Sequence, residues 1–266
     1  MCGIAGFLDP SCGEAEAQSR LGDMPARIIH RGPDGSGTHV ASGVELGMQR
    51  LNIIDRERCA QPVWNEDRAI AVVFNGEIYN YVELTRELTA AGHQFRTQSD
   101  TEVLVYLFEE YGAAMLDKLR GTFAFAPLDL RERRLFIARD HFGQKPLYDS
   151  QNDDRLAFAS ELKCLLALPW VDRSRDPEAF LDYVSWLSLP APRTHFQKIR
   201  KLSAGCLLEV KVDRPPVRSV PGITRWNSPR RILRRTCRGW RGISMSQWAT
   251  RRRSRCCESA RWLASM

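Results

Sequence analysis

A cysteine stands second in the chain, in Met1-Cys2-Gly3-Ile4, so removal of the initiator methionine leaves one residue carrying both a thiol and a free α-amine. An α-amine titrates near ~8, far below a lysine side chain, so at neutral pH it can accept the thiol proton and return it to a leaving amine. Nucleophile and base then share one residue, the N-terminal-nucleophile arrangement. Any protein can begin with Met-Cys, so the weight of this start depends on what lies downstream.

The elements that must position such a residue are legible over residues 1–213. Ile4–Leu8 and Val44–Leu51 read as strands, and Glu14–Ile29 reads as a helix running to the loop His30-Arg31-Gly32-Pro33-Asp34-Gly35. Ala69–Phe74 is a buried-looking strand, followed by Asn75-Gly76, a turn signal, and then Glu77-Ile78-Tyr79. Asn80 is placed to cap a helix over Tyr81–Ala91 that Gly92 ends, and Ser99-Asp100-Thr101-Glu102 has capping-box spacing before the apolar face Val103, Leu104, Leu107, Phe108. Thr122–Asp129 and Leu135–Asp140 predict an antiparallel pair, Leu156–Ala159 a further strand, and Asp176-Pro177 the start of another helix. Strand hairpins grouped with helices, without a regular βαβ alternation, point to an α+β layered domain.

Composition narrows the class. At 266 residues and 43% hydrophobic content the chain can bury one good core. It has no apolar run of ~18 residues and no leader before Cys2, so neither a membrane span nor a signal peptide is expected and a cytoplasmic location follows. The eight cysteines form no CxxC pair or His-Cys cluster, which argues against a metal site and against a disulfide framework. The net charge of +7 is unevenly spread: residues 214–266 hold 14 Arg against one acid, Glu258, a balance of +13 that leaves 1–213 at −6. That Arg- and Trp-rich tail could bind nucleic acid through phosphate contacts and stacking. The abrupt change near Asp213-Arg214 favours a different reading, an out-of-frame, disordered translation product, and nucleic acid is not the expected partner.

Several blocks, in order, carry a family resemblance. They are Met1-Cys2-Gly3-Ile4-Ala5-Gly6, His30-Arg31-Gly32-Pro33-Asp34, Gln49 to Asp55, Gln61-Pro62, Asn75-Gly76-Glu77-Ile78-Tyr79-Asn80, Ser99-Asp100-Thr101-Glu102, Gly121 to Ala126, and Arg139-Asp140 with Gly143 and Lys145-Pro146-Leu147-Tyr148. Together they resemble the glutaminase half of the glutamine-hydrolysing asparagine synthetases, a branch of the class II glutamine amidotransferases. The resemblance covers residues 2–170 strongly, with 171–213 as the start of a connection to a synthetase domain.

The resemblance implies free L-glutamine as substrate and gives each matching residue a role. Cys2 would attack the side-chain amide, releasing ammonia and leaving a glutamyl thioester that water hydrolyses to glutamate. The Asn75 side chain and the Gly76 N–H would hold the oxyanion. Arg50 would clamp the substrate carboxylate, Glu77 and Asp100 would hold its ammonium, and the backbone of Leu51, Asn52, Ile53 and Ile54 would line the pocket. Taken singly, Asn75-Gly76 could be only a hairpin turn, Asp100 only part of a helix cap and Arg50 only a solvated strand residue. His30 and His141 are expected to be structural, and Arg31 and Asp34 to shape a loop over the substrate.

The same resemblance implies a four-layer α-β-β-α sandwich of two antiparallel sheets. It also exposes a departure: the Ser-Gly-Gly-x-Asp-Ser phosphate loop of the family's second domain is absent, so ATP and Mg have no place in this chain and the glutaminase step needs no cofactor. The expected activity is glutamine hydrolysis without asparagine formation; the alternative is an inactive truncated pseudoenzyme or an interaction module. A surface around 140–148 and 176–213 is expected to be the one a second domain covers, and a homodimer is possible.

Overall fold

In the computed structural model, which describes residues 2–41, 43–51, 60–212 and 223–225, apolar strands pair into two antiparallel sheets. β1 (Gly3–Leu8) carries no charge and is buried along its whole length. It lies between β3 (Val44–Arg50) and β9 (Arg155–Ala159), and β2 (Gly35–Ala41), β8 (Tyr148–Asn152) and β10 (Ile199–Lys201) complete a sheet ordered β10-β8-β9-β1-β3-β2. The second sheet contains β4 (Val63–Trp64), β5 (Ile70–Ile78), β6 (Gly121–Asp129), β7 (Arg134–Arg139), β11 (Cys206–Lys211) and β12 (Ile223–Arg225), in the order β12-β11-β7-β6-β5-β4.

Three apolar layers hold these sheets between helices. Ile4, Leu8, Leu46 and Met48 of the first sheet meet Ala71, Val73, Ala124, Ala126 and Ile137 of the second, forming the inner core. The outer face of the first sheet packs Ala5 and Phe7 against Leu21 and Met24 of α1 (Glu14–Ala26) and Leu165 of α4 (Leu162–Leu165). The outer face of the second packs Val72 and Phe74 against Leu84 and Leu88 of α2 (Tyr81–Ala91) and Leu104 and Leu107 of α3 (Asp100–Tyr111). The result is the α-β-β-α sandwich that the resemblance implies. Strand alternation produces it: residues i and i+2 of each strand serve one core, and i+1 the other.

Asn75-Gly76 makes no turn; β5 runs straight through it in unbroken register with β6, Asn75 opposite Ala124 and Gly76 opposite Phe123. Gly76 is required for close approach instead, since a Cβ there would lie 2.2 Å from Thr122 O and 2.8 Å from Phe123 Cα. Gly76→Ala is therefore expected to cost roughly 2–4 kcal/mol of stability, read as a lower urea midpoint. Asn80 precedes α2 but makes no side-chain cap; its Nδ2 donates to Lys118 O at 2.9 Å and its Oδ1 accepts from Arg120 N at 2.9 Å. Ser99 does cap α3, accepting from Thr101 N at 3.1 Å, while Glu102 takes the N–H groups of Arg96 and Thr97. α1 stops at Ala26, after Pro25, three residues short of the Ile29 that the sequence predicts, and a short 3-10 segment, Ile29–Arg31, stands at the start of the expected loop.

Residues beyond 170 build part of the sandwich. β10 extends one sheet and β11 the other, and ahead of both in the chain α5 (Pro177–Trp186) starts on Asp176, whose carboxylate accepts from Glu178 N and Ala179 N. α5 turns Phe180, Leu181 and Val184 to solvent, as does Phe142 on the loop after β7. The chain divides into units 1–226 and 227–266, the second outside the described residues; within the tail that the sequence suggests is disordered, Ile223–Arg225 instead pair with Cys206–Leu208 as β12, and the rest of that tail lies outside the described residues. Cys2, Cys12, Cys164 and Cys206 are free thiols. No described helix is long and apolar enough to cross a membrane.

Candidate active site

Strand parity carries Cys2, Arg50 and Asn75 to one place. Ile4 and Met48 point into the inner core, so Cys2 and Arg50, two residues away along their chains, continue the same rows at the end of the first sheet. Ala71 and Val73 point into that core from the facing sheet, and Asn75 is the next residue of their row. β1 and β3 both contact β5 across the sandwich. The thiol, the guanidinium-bearing residue and the carboxamide thus face the space where the two sheets meet.

Cys2 is half-buried against the inner core, with its sulfur over the backbone of Leu51. Leu51 N–H donates to Sγ at 3.4 Å, and Sγ lies 3.6 Å from Leu51 O. Behind it, Arg31 Nε donates to the Cys2 carbonyl at 3.0 Å. Asp34 N–H donates to Arg50 O at 3.1 Å, and a Cβ on Gly32 would fall 2.5 Å from the Arg50 backbone, so the loop after the 3-10 segment is pinned to the end of β3.

The edge of β5 supplies donors in an ordered row. β4 pairs with Ala71 and Val72, and among the described residues no strand covers the edge beyond them. Backbone N–H groups two residues apart point the same way along a strand. Phe74 N–H donates to Gln61 Oε1 at 2.8 Å and Ile78 N–H donates to Asp100 Oδ2 at 3.0 Å, which places the Gly76 N–H between them on the same edge. Beside it the Asn75 side chain is 1% exposed, and neither its Nδ2 nor its Oδ1 meets a hydrogen-bond partner. A buried primary amide without partners is costly, on the order of 1–3 kcal/mol, and such costs are tolerated where a ligand supplies the missing contact.

Asp100 opens α3 and is 6% exposed. Burial pushes its pKa up, partly offset by the Ile78 N–H bond, and the neighbouring Glu77 pushes it up further. A ligand ammonium would reverse this, favouring the carboxylate by direct charge pairing. Binding of an ammonium-bearing ligand should therefore weaken as the pH falls through the raised pKa of Asp100, since the free site protonates before the occupied one. The expected result is a KM that climbs on acidification in the wild type and is high and flat with pH in Asp100→Asn. A wild-type KM insensitive to acid would remove Asp100 from the ammonium subsite.

Of the residues singled out from sequence, Cys2, Arg50 and Leu51 gather at the end of the first sheet, Asn75, Gly76 and Glu77 lie on β5 of the second, and Asp100 at the start of α3 is tied to that strand through Ile78 N. Asn52, Ile53 and Ile54 lie outside the described residues. Gln61 joins the two groups: its carbonyl oxygen would sit 1.7 Å from a Cβ on Gly37 of β2, its Oε1 holds Phe74, and its Nε2 is 3.5 Å from Thr101 Oγ1 beside Asp100. The sequence singles out Gln61-Pro62 only as a block, with no signal for this role. Arg31 reads as a loop residue in the sequence; it instead grips Cys2 from behind.

The architecture is shared with solved structures of low sequence identity. The glutamine phosphoribosylpyrophosphate amidotransferase of B. subtilis, solved with ADP and GMP, superposes with a TM-score of 0.58 at 20% identity, over 84% of this chain and 48% of that one. A structure of the allosteric regulatory enzyme of purine biosynthesis gives 0.57 at 21% identity, over 79% and 47%. The sequence then gives the class: residues 1–219 match the glutamine amidotransferase domain, and the chain belongs to that family. Asparagine synthetase [glutamine-hydrolyzing] 1 of Bacillus subtilis (strain 168) is 40% identical over 215 residues, covering 80% of this chain and 34% of that protein. Asparagine synthetase [glutamine-hydrolyzing] 3 of Arabidopsis thaliana is 44% identical over 166 residues, covering 62% and 28%. The chain spans about a third of the length of such relatives.

Proposed function

We propose that this chain hydrolyses free L-glutamine to glutamate and ammonia, with Cys2 as an N-terminal nucleophile once Met1 is removed. The observation that carries the reading is the unpartnered Asn75 amide beside the Gly76 N–H, on the face opposite the Cys2 thiol. The free α-amine of Cys2 takes the thiol proton, and Sγ attacks the side-chain amide carbon of glutamine. The oxyanion of the tetrahedral intermediate is received by Asn75 Nδ2 and Gly76 N–H. The ammonium of Cys2 returns its proton to the leaving nitrogen, ammonia departs, and the thioester remains. Water then attacks, the amine again serving as base, and glutamate leaves.

Selectivity for the free amino acid follows from charge. Arg50 would clamp the α-carboxylate with its planar fork, while Asp100 and Glu77 would take the α-ammonium. A glutamine inside a peptide lacks both charges and would leave these groups uncompensated. The step uses only groups of this chain and water, without a cofactor. A cytoplasmic setting, where glutamine is free and thiols stay reduced, suits this chemistry. Transfer of the ammonia to aspartate belongs, in this reading, to the portion of the relatives' length that this sequence does not span. The test is release of ammonia and glutamate from free L-glutamine by protein whose intact mass lacks Met1. Soluble, processed protein that releases neither would defeat the proposal and favour an inactive or purely binding role.

A further inference from the structure

The nucleophile is held from behind by a polar relay that the proposed chemistry does not use. The β1–β9 ladder pairs Ala5 with Ala159, and Ser160 continues it, accepting from Ile4 N through Oγ at 3.0 Å and donating its own N–H to Ile4 O at 2.8 Å. The next step of that register sets Glu161 beside Gly3. Glu161 Oε1 accepts from Arg31 Nη1 at 3.1 Å and lies 3.0 Å from His30 Nε2, and Oε2 lies 3.3 Å from Lys163 Nζ. Arg31, whose side chain is 10% exposed, spans from this carboxylate to the Cys2 carbonyl. It can do so because residue 3 is glycine: a Cβ there would lie 2.6 Å from Ile28 Cδ1 and 3.2 Å from Arg31 Cδ.

We propose that Glu161 is a positioning residue for the nucleophile, fixing the Cys2 backbone through Arg31 and balancing the positive charge that Arg31 and Lys163 bring to that end of the site. This rests on the reading of Cys2 as the attacking group. Burial works against the Glu161 carboxylate, but hydrogen bonds from Arg31, His30 and Lys163 outweigh it and hold its pKa below the ordinary value, so it is an anion throughout the working range. Among the described residues, the charged and titratable groups at this end of the site are then His30 and Arg31 from the 3-10 segment, Glu161 from the β9–α4 connection, Lys163 of α4, and Arg50 with Asp34 at the end of β3. Without Glu161 this set is more positive, and both the α-ammonium and the thiol of Cys2 lose their protons more easily. The guanidinium, released from its counter-ion, also ceases to fix the carbonyl, and an ångström of misplacement at a nucleophile can cost ~100-fold in rate.

The experiment compares wild type with the near-isosteric Glu161→Gln and with Glu161→Asp, which keeps the charge but shortens the reach. Two readouts are needed: kcat and KM for ammonia release from glutamine, and the pH midpoint for iodoacetamide alkylation of Cys2, followed by mass spectrometry of the N-terminal peptide. Glu161→Gln should lower kcat about 10–100-fold with KM within about twofold, and move the alkylation midpoint to lower pH. Glu161→Asp should lower kcat while keeping the wild-type midpoint. An alkylation midpoint unchanged in Glu161→Gln overturns the proposal, whether or not kcat falls with it, because a merely structural role would leave the titration in place. The alkylation arm needs no turnover, so a wild type inactive toward glutamine would defeat the function proposed above while still deciding the part played by Glu161.

Discussion

Cys2→Ala should release neither ammonia nor glutamate above background, a loss of at least ~10⁴-fold relative to wild type. In the proposed mechanism the alanine removes the sulfur that would form the thioester, and the other described thiols lie elsewhere: Cys12 and Cys164 pack in the outer layer of the first sheet, and Cys206 on β11 is buried in the inner core. The fold should be little affected, since Cys2 is only half-buried and precedes the first strand. Melting within a few degrees of wild type would show that the loss is chemical. A companion protein that retains Met1 keeps the thiol but turns the base into a peptide nitrogen, so it should be equally inactive toward glutamine while its Cys2 still accepts iodoacetamide. Residual turnover in Cys2→Ala would dismiss the N-terminal-nucleophile reading outright; turnover with Met1 in place would keep the thiol and dismiss the amine.

What the sequence makes legible follows the range of each interaction. α2 begins and ends where Tyr81 to Gly92 says it should, because Gly92 at φ 110° is a local requirement met by a local residue. Asp176-Pro177 starts α5 for the same reason. Asn75-Gly76 misleads on the same grounds: the dipeptide favours a turn locally, but pairing with β6 from Ile70 to Ile78 holds the strand extended. β2, β8 and β10 escape the reading because polar or short strands such as Gly35–Ala41 and Tyr148–Asn152 are stabilised by their neighbours in the sheet. At the site, Cys2, Asn75 and Asp100 are suggested by motif order, whereas Gln61 meets Phe74 from 13 residues away, Arg31 meets Cys2 from 29, and Glu161 meets Arg31 from 130. No local pattern reports such distances.

Asn75→Ala separates function from stability in a way that tests the oxyanion site directly. If Asn75 Nδ2 receives the developing oxyanion, its removal should lower kcat about 10²–10³-fold, ~3–4 kcal/mol of barrier, with a smaller change in KM because the charge develops only after binding. An ordinary buried asparagine would also stabilise the fold through its hydrogen bonds, and its loss would cost stability. This one makes none: both polar atoms are buried without partners, a burden of about 1–3 kcal/mol that alanine relieves, offset by the small cavity left behind. The expected variant is therefore crippled in turnover yet melts no lower than wild type. A clear fall in melting temperature would mean that Asn75 serves the sheet, and an unchanged kcat would send the oxyanion elsewhere. The contrast with Gly76→Ala is informative, since there the clash with Thr122 predicts loss of both stability and activity. Adjacent residues on one strand thus divide the work: Gly76 lets β5 approach β6 closely enough to fix the edge, and Asn75 keeps an unsatisfied donor on the face that the nucleophile shares.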